Sequence, residues 1–137
     1  MMLNGVILRK LQSLDSTLEE LYSLRPVTLD QLKDDWRTLR AAERDLQILI
    51  EIVVDVCQRL ISMTGETPAA TGAEAVKRCV ELGALSDSET YRKMIQFRNF
   101  IVHRYEQVDP SIVVSILNHN LDDFKGFRAQ ILSFMKK

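Results

Sequence analysis

Eight consecutive residues, Arg98-Asn99-Phe100-Ile101-Val102-His103-Arg104-Tyr105, carry most of the chemistry available to this chain. They place two guanidinium groups, an imidazole, a carboxamide and a phenol inside a stretch that otherwise keeps an apolar helical period. The stripe reads Tyr91, Met94, Ile95, Arg98, Ile101, Val102 and Tyr105, so Arg98 stands where the period asks for an apolar side chain. Arginine is almost never buried without a partner. Either a carboxylate meets it, or this face opens onto a cleft that an anion fills. From Arg92 to Tyr105 the charged residues are Arg92, Lys93, Arg98 and Arg104, with no acid among them. Such a run attracts phosphates even on a near-neutral chain, although a solvated helix face is the plainer account of any charge run. The cations around His103 lower an imidazole's pKa and favour its neutral, basic form. Asn99 lies four residues before His103 on the same helical face, placed to orient the ring or to bind substrate. His119, between Asn118 and Asn120, reads as a surface residue.

Helix geometry constrains how these groups cooperate. Arg98 and Tyr105 are seven residues apart and share a face. Arg98 and His103 are five apart, about 140° around a regular helix. They do not converge on one atom unless the helix distorts near His103 or a second subunit supplies the complementary group. The second route predicts a symmetric homodimer with two copies of the octet facing one cleft.

The elements that must hold the octet are helical. At 137 residues the chain fits one domain, residues 1–137, and can bury a core without staples. The first helix is predicted from about Asn4 to Arg25, with Ile7, Leu11, Leu14, Leu18, Leu21 and Leu24 on one stripe and Pro26 closing it. Thr28 with Gln31 is a capping-box signature. A long helix follows to about Met63, with a two-column seam of Leu32, Leu39, Leu46, Val53 and Leu60 beside Ala42, Leu49, Val56 and Met63. At about 1.5 Å per residue it would span roughly 50 Å, so a bend or a start nearer Lys33 is expected. Glu43 falls beside that seam, in a column with Trp36, Ile50 and Cys57. It reads as a rim residue, the alternative being the partner of a buried cation. Gly65 to Gly72 is a loop, and Ala73 to Leu82 a short helix with Gly83 suited to its C′ position. Ser86-Asp87-Ser88-Glu89 opens the octet's helix as a second capping box. Asp109-Pro110 starts a last long helix carrying Val113, Ile116, Leu117, Phe124, Phe127, Ile131 and Phe134. The expected fold is therefore all-α: an antiparallel bundle of about five helices, with two long N-terminal helices, a short third, the octet's helix and a long C-terminal helix.

Composition narrows the function classes. The chain has 18 basic and 19 acidic residues, a net charge of −1, so nucleic acid must be met by a local patch rather than a global field. Cys57 and Cys79 form no C-x-x-C pair, which speaks against zinc or redox chemistry and suggests a reducing cytosol. No secretory leader pattern or membrane-length apolar run is seen, and no metal or other cofactor is expected.

On these residues the chain resembles the HEPN superfamily, specifically the HepT-like ribonuclease toxins. The family motif of Arg, four residues, His, one residue, Tyr stands complete as Arg98, His103 and Tyr105, with Asn99 directly after the arginine. Glu43-Arg44-Asp45-Leu46-Gln47, followed by Ile50-Glu51 and Val54-Asp55, looks like the family's second-helix signature. The likeness covers about Leu29 to Phe134 and adds less over the first helix. It implies a cytoplasmic toxin that cleaves RNA without metal, leaving a 2′,3′-cyclic phosphate. In that scheme His103 is the general acid or base and Arg98 stabilises the phosphorane. Asn99, with Arg104 and Arg92, supports substrate binding. The resemblance further implies a minimal nucleotidyltransferase antitoxin as partner and Tyr105 as the tyrosine it adenylylates. A different class remains open: a non-catalytic helical partner or substrate-binding subunit of a nucleotidyltransferase.

Overall fold

The computed structural model describes residues 4–87, 89–103 and 109–137, with only the backbone of Val102 and His103. Among these residues all regular structure is helical: α1 Gly5–Tyr22, α2 Leu29–Lys33, α3 Trp36–Met63, α4 Gly72–Glu81, α5 Glu89–His103, α6 Pro110–His119 and α7 Asp122–Met135. The all-α bundle expected from the sequence is what forms, with seven described helices rather than about five. Two expected helices are each divided. The long second one stops at Lys33 and restarts at Trp36, because the Asp35 side chain caps the new helix by accepting from the Thr38 amide at 3.1 Å and its hydroxyl at 2.6 Å. The last one breaks at Asn120 and Leu121, and Asp122 and Asp123 then sit in the first turn of α7, where the helix dipole favours acids.

Most helix ends follow local chemistry. Asn4 caps α1, and Thr28 and Gln31 make the reciprocal capping box of α2. Asp109 caps α6 with Pro110 at its first turn. Gly83 follows α4 with φ +85°, and the Gly83 and Ala84 amides donate back to Val80 and Cys79, the paired bonds of a Schellman end. The expected Ser86 box is not the cap of α5: that helix begins at Glu89, and the Ser86 hydroxyl accepts from Gln130 Nε2 at 3.1 Å. Ser88 lies outside the described residues.

α3 is the hub. It packs against α1, α2, α4, α5 and α6, and at 28 residues it is about 42 Å long. α1 runs antiparallel to it, shown by Lys10–Asp55 at one end and a Glu20–Asp45 carboxyl contact at the other. α5 is antiparallel too: Tyr91 sits near Cys57, while Phe97 and Phe100 share a groove with Leu46 and Ile50. The core runs through every α1 stripe residue from Ile7 to Leu21 and along α3 from Leu39 to Ile61. α7 closes the far side, with Arg128 on Asp15 and the Tyr22 hydroxyl on Asp122, joining the last helix to the first.

Three side-chain amides fasten the connections. Asn118 on α6 accepts from the Val27 amide at 3.2 Å and donates to its carbonyl at 2.8 Å. Gln58 on α3 does the same for Ala69, at 2.8 and 2.9 Å. Gln130 on α7 holds Ser86 and the Tyr91 hydroxyl. An amide carries both donor and acceptor, so one side chain can satisfy both halves of a part-buried peptide group. Cys57 and Cys79 are buried free thiols, with Cys79 donating to the Cys57 carbonyl at 3.5 Å.

Candidate functional site at the end of α5

α5 is pinned to the core by Tyr91, Met94 and Ile95, all buried. One turn further along the same stripe stands Arg98, half-buried. Its Nε is buried and meets no hydrogen-bond partner among the described residues, and its Nη1 donates to Asn99 Oδ1 at 3.4 Å. No described carboxylate pairs with it. Of the two accounts available from the sequence, the described part of the molecule supplies no acid for this cation. A guanidinium N–H withheld from water and from any acceptor costs on the order of 1–3 kcal/mol, a cost that a bound anion removes.

The expected site residues are only partly gathered. Arg98 and Asn99 are together, the exposed Asn99 turned toward Arg98. The backbone stays α-helical through His103. The His103 side chain, Arg104 and Tyr105 lie outside the described residues. Arg92 is not brought to Arg98. It lies about 9 Å back along the helix and about 120° away, and it pairs with Glu89 at 3.1 Å and Asp87 at 3.4 Å. The acid-free run is thus neutralised at its beginning by acids just upstream. His119 is exposed, as read from the sequence.

Glu43 is a correction. It is buried, not a rim residue, with both carboxylate oxygens 3.0 Å from Arg40 Nη1. The signal was the i, i+3 spacing of Arg40 and Glu43, which lets a half-exposed arginine reach back over an acid beside the seam. A groove of about 490 Å³ was also missed. Leu46 and Ile50 of α3, Met94, Phe97 and Phe100 of α5, Ile112 and Ile116 of α6 and Phe124 of α7 supply its apolar lining. The sequence held a hint: Phe97 and Phe100 fall off the Tyr91–Met94–Arg98 stripe and give α5 a second apolar edge.

Asp45, in the same segment of α3, has its carboxyl pushed up to about 6, first by burial and then by hydrogen bonding and repulsion from Glu20. Tyr91 is pushed up to about 12, mainly by burial. No set of His, Cys, Asp and Glu side chains among the described residues could hold a metal ion. No described helix is long and apolar enough to cross a membrane.

Known proteins share this architecture. The tri-AMPylated HEPN toxin of Shewanella oneidensis, solved in complex with an MNT antitoxin, superposes with a TM-score of 0.85 at 20% identity, over 96% of this chain and 99% of that one. A toxin–antitoxin structure with AMP-PNP gives 0.84 at 20% identity, over 95% and 99%. In sequence, the tRNA nuclease HepT of Aphanizomenon flos-aquae is 23% identical over 135 residues, 95% of this chain and 90% of that protein. The mRNA nuclease HepT of Shewanella oneidensis is 40% identical over 40 residues, which span only 30% of its length. The family model described as ribonuclease HepT-like matches residues 10–131, and by that match the chain belongs to the ribonuclease HepT-like family.

Proposed function

We propose that this chain is the toxin of a toxin–antitoxin pair and acts as an endoribonuclease through Arg98 and His103. The observation that carries the reading is Arg98, a cation set into an apolar stripe with its Nε buried and without a described partner. Membership of the ribonuclease HepT-like family and the names of the matched relatives support the same class. A ribose 2′-oxygen attacks the adjacent phosphorus, its proton passes to His103, and the P–O5′ bond breaks as the leaving 5′-oxygen takes a proton from water. The products are a 2′,3′-cyclic phosphate and a 5′-hydroxyl, with no metal required. Arg98 stabilises the charge that develops on the phosphorane oxygens. Asn99 holds the guanidinium in place and Arg104 adds phosphate attraction, while Arg92, screened by two acids, contributes at longer range.

With α5 regular through His103, the 140° between Arg98 and His103 is best met by two subunits, each giving one side of a shared cleft. The apolar groove beside α5 offers a surface for such a homodimer. The antitoxin is a minimal nucleotidyltransferase that adenylylates Tyr105, blocking RNA by bulk and negative charge. Support comes from the other two tyrosines. Tyr91 is buried with its hydroxyl on Gln130, and the Tyr22 hydroxyl is on Asp122. The cytoplasm is the expected site of action.

The test is RNA cleavage by the purified protein in excess EDTA. Arg98→Ala should lower the rate about 100- to 1000-fold, the usual loss for one charge-stabilising donor. His103→Ala should do at least as much, with folding unchanged by circular dichroism. Full cleavage by both variants would refute the site. Absence of cleavage by the wild-type protein, with retained binding to the nucleotidyltransferase, would favour a non-catalytic partner.

A further inference from the structure

Beyond the Arg98–His103 pair, we propose that Trp36, Arg37, Arg40 and Arg44 form a stacking platform that binds single-stranded RNA beside the cleavage site. The inference rests on the ribonuclease reading above and extends it to how the strand is held. Trp36 is the most exposed large apolar side chain described, at 64%, and it opens α3 rather than packing under it. The Arg37 guanidinium lies 5.4 Å from its ring centroid, a cation–π arrangement that holds the indole. On a regular helix Trp36, Arg40, Arg44 and Arg37 fall within an arc of about 100°.

The Trp36 edge of this arc lies toward α5, while Arg44 and Arg37, about 120° and 140° around from Ile50, lie on the outward face of α3. Trp36 stands in the column of Glu43 and Ile50, and Ile50 lines the groove with Phe97 and Phe100 of α5. Since α3 and α5 are antiparallel, with Leu46 and Ile50 opposite Phe100 and Phe97, the His103 backbone is level with about residue 43 or 44 of α3. Arg44 is therefore at the height of the site, and Trp36 about 11 Å beyond it. α2, the start of α3 and the start of α6 gather at this same end, with Lys33 near Asp109.

Charge selects the occupant. Of the acids near the arc, Glu43 is buried against Arg40, Asp35 caps α3 through Thr38 and Glu51 accepts from Gln47, while Asp34 is exposed. Arg44 is exposed and forms no ion pair with a described residue. What remains outward is one indole among guanidinium groups, the complement of an unstacked base flanked by phosphates.

Trp36 is the chain's one tryptophan, so its fluorescence reports the platform directly. The probe is a single-stranded oligoribonucleotide with 2′-O-methyl sugars, which lacks the attacking hydroxyl. Saturable quenching of Trp36 is expected. By anisotropy of a labelled copy, Trp36→Leu should weaken binding about tenfold or more. The double variant Arg37→Ala/Arg44→Ala should lower the slope of log affinity against log salt by about 1.4. Binding without quenching, with both variants like wild type, overturns the platform. So does quenching by the nucleotidyltransferase but not by the oligonucleotide, which makes this face a protein dock. Protein that cleaves unmodified RNA without any Trp36 response refutes the platform alone. Protein that is quenched but never cleaves refutes the ribonuclease reading alone.

Discussion

Replacing Asp45 by asparagine should stabilise the protein at neutral pH and remove one component of its pH dependence. Asp45 on α3 faces Glu20 on α1, and burial together with that second carboxyl lifts its pKa from 3.8 to about 6. Below about pH 4 the group is protonated in both folded and unfolded chains and costs nothing. Between about 4 and 6 the unfolded chain ionises first while the folded chain keeps its proton. Stability therefore falls as pH rises through this window, and above it the folded state carries the full penalty. At 1.36 kcal/mol per unit the lift corresponds to about 3 kcal/mol. Asp45 is half-buried and Glu20 exposed, so solvent screening reduces this to about 1 kcal/mol. Asp35 and Asp109, both held below 3.8 by hydrogen bonds from the turns they cap, lose their contributions at lower pH and leave this window clear. Thermal unfolding of wild type and Asp45→Asn at pH 4.5, 6.0 and 7.5 measures the effect. The variant should melt about 4 °C higher at pH 7.5, with a smaller difference at pH 4.5. A constant difference across the three pH values would refute the carboxyl-pair account.

Asn118→Ala removes both bonds to the part-buried Val27 peptide and should cost about 2 kcal/mol in urea unfolding; an unchanged midpoint would contradict the clasp. Gly83→Ala places a side chain at φ +85° and should lower stability by about 1 kcal/mol, visible in the same titration. Co-expression with the nucleotidyltransferase should add AMP mass to the chain, and Tyr105→Phe should abolish the adduct. An adduct retained in that variant would move the modification to another residue.

Much of the scaffold could be read from residues whose effect is local. Thr28, Gly83 and Asp109-Pro110 mark helix ends because their side chains or backbone freedom satisfy the groups beside them, whatever the rest of the chain does. The break at Asp35 was harder to read, since a heptad seam continues across it and a cap competes there with an unbroken stripe. Glu43 was misread because burial depends on which neighbour reaches it, and Arg40 reaches from the exposed side. Arg98 was legible as an anomaly, and the structure sharpens it to one buried nitrogen. The groove beside α5 was not legible, because its walls come from α3, α5, α6 and α7, and pairing among distant helices is not written in any one period.

The contact between α1 and α7 has a consequence for how the protein comes into being. Asp15 meets Arg128 and Tyr22 meets Asp122, so α1, made before the rest of this bundle, is finished by α7. α3 can cover one flank of α1 early, but its other flank waits until more than a hundred further residues have emerged. A nascent chain therefore holds an incomplete bundle until α7 has emerged. In a protein that cuts RNA, such lateness would delay a folded enzyme until the last helix of this bundle has left the ribosome.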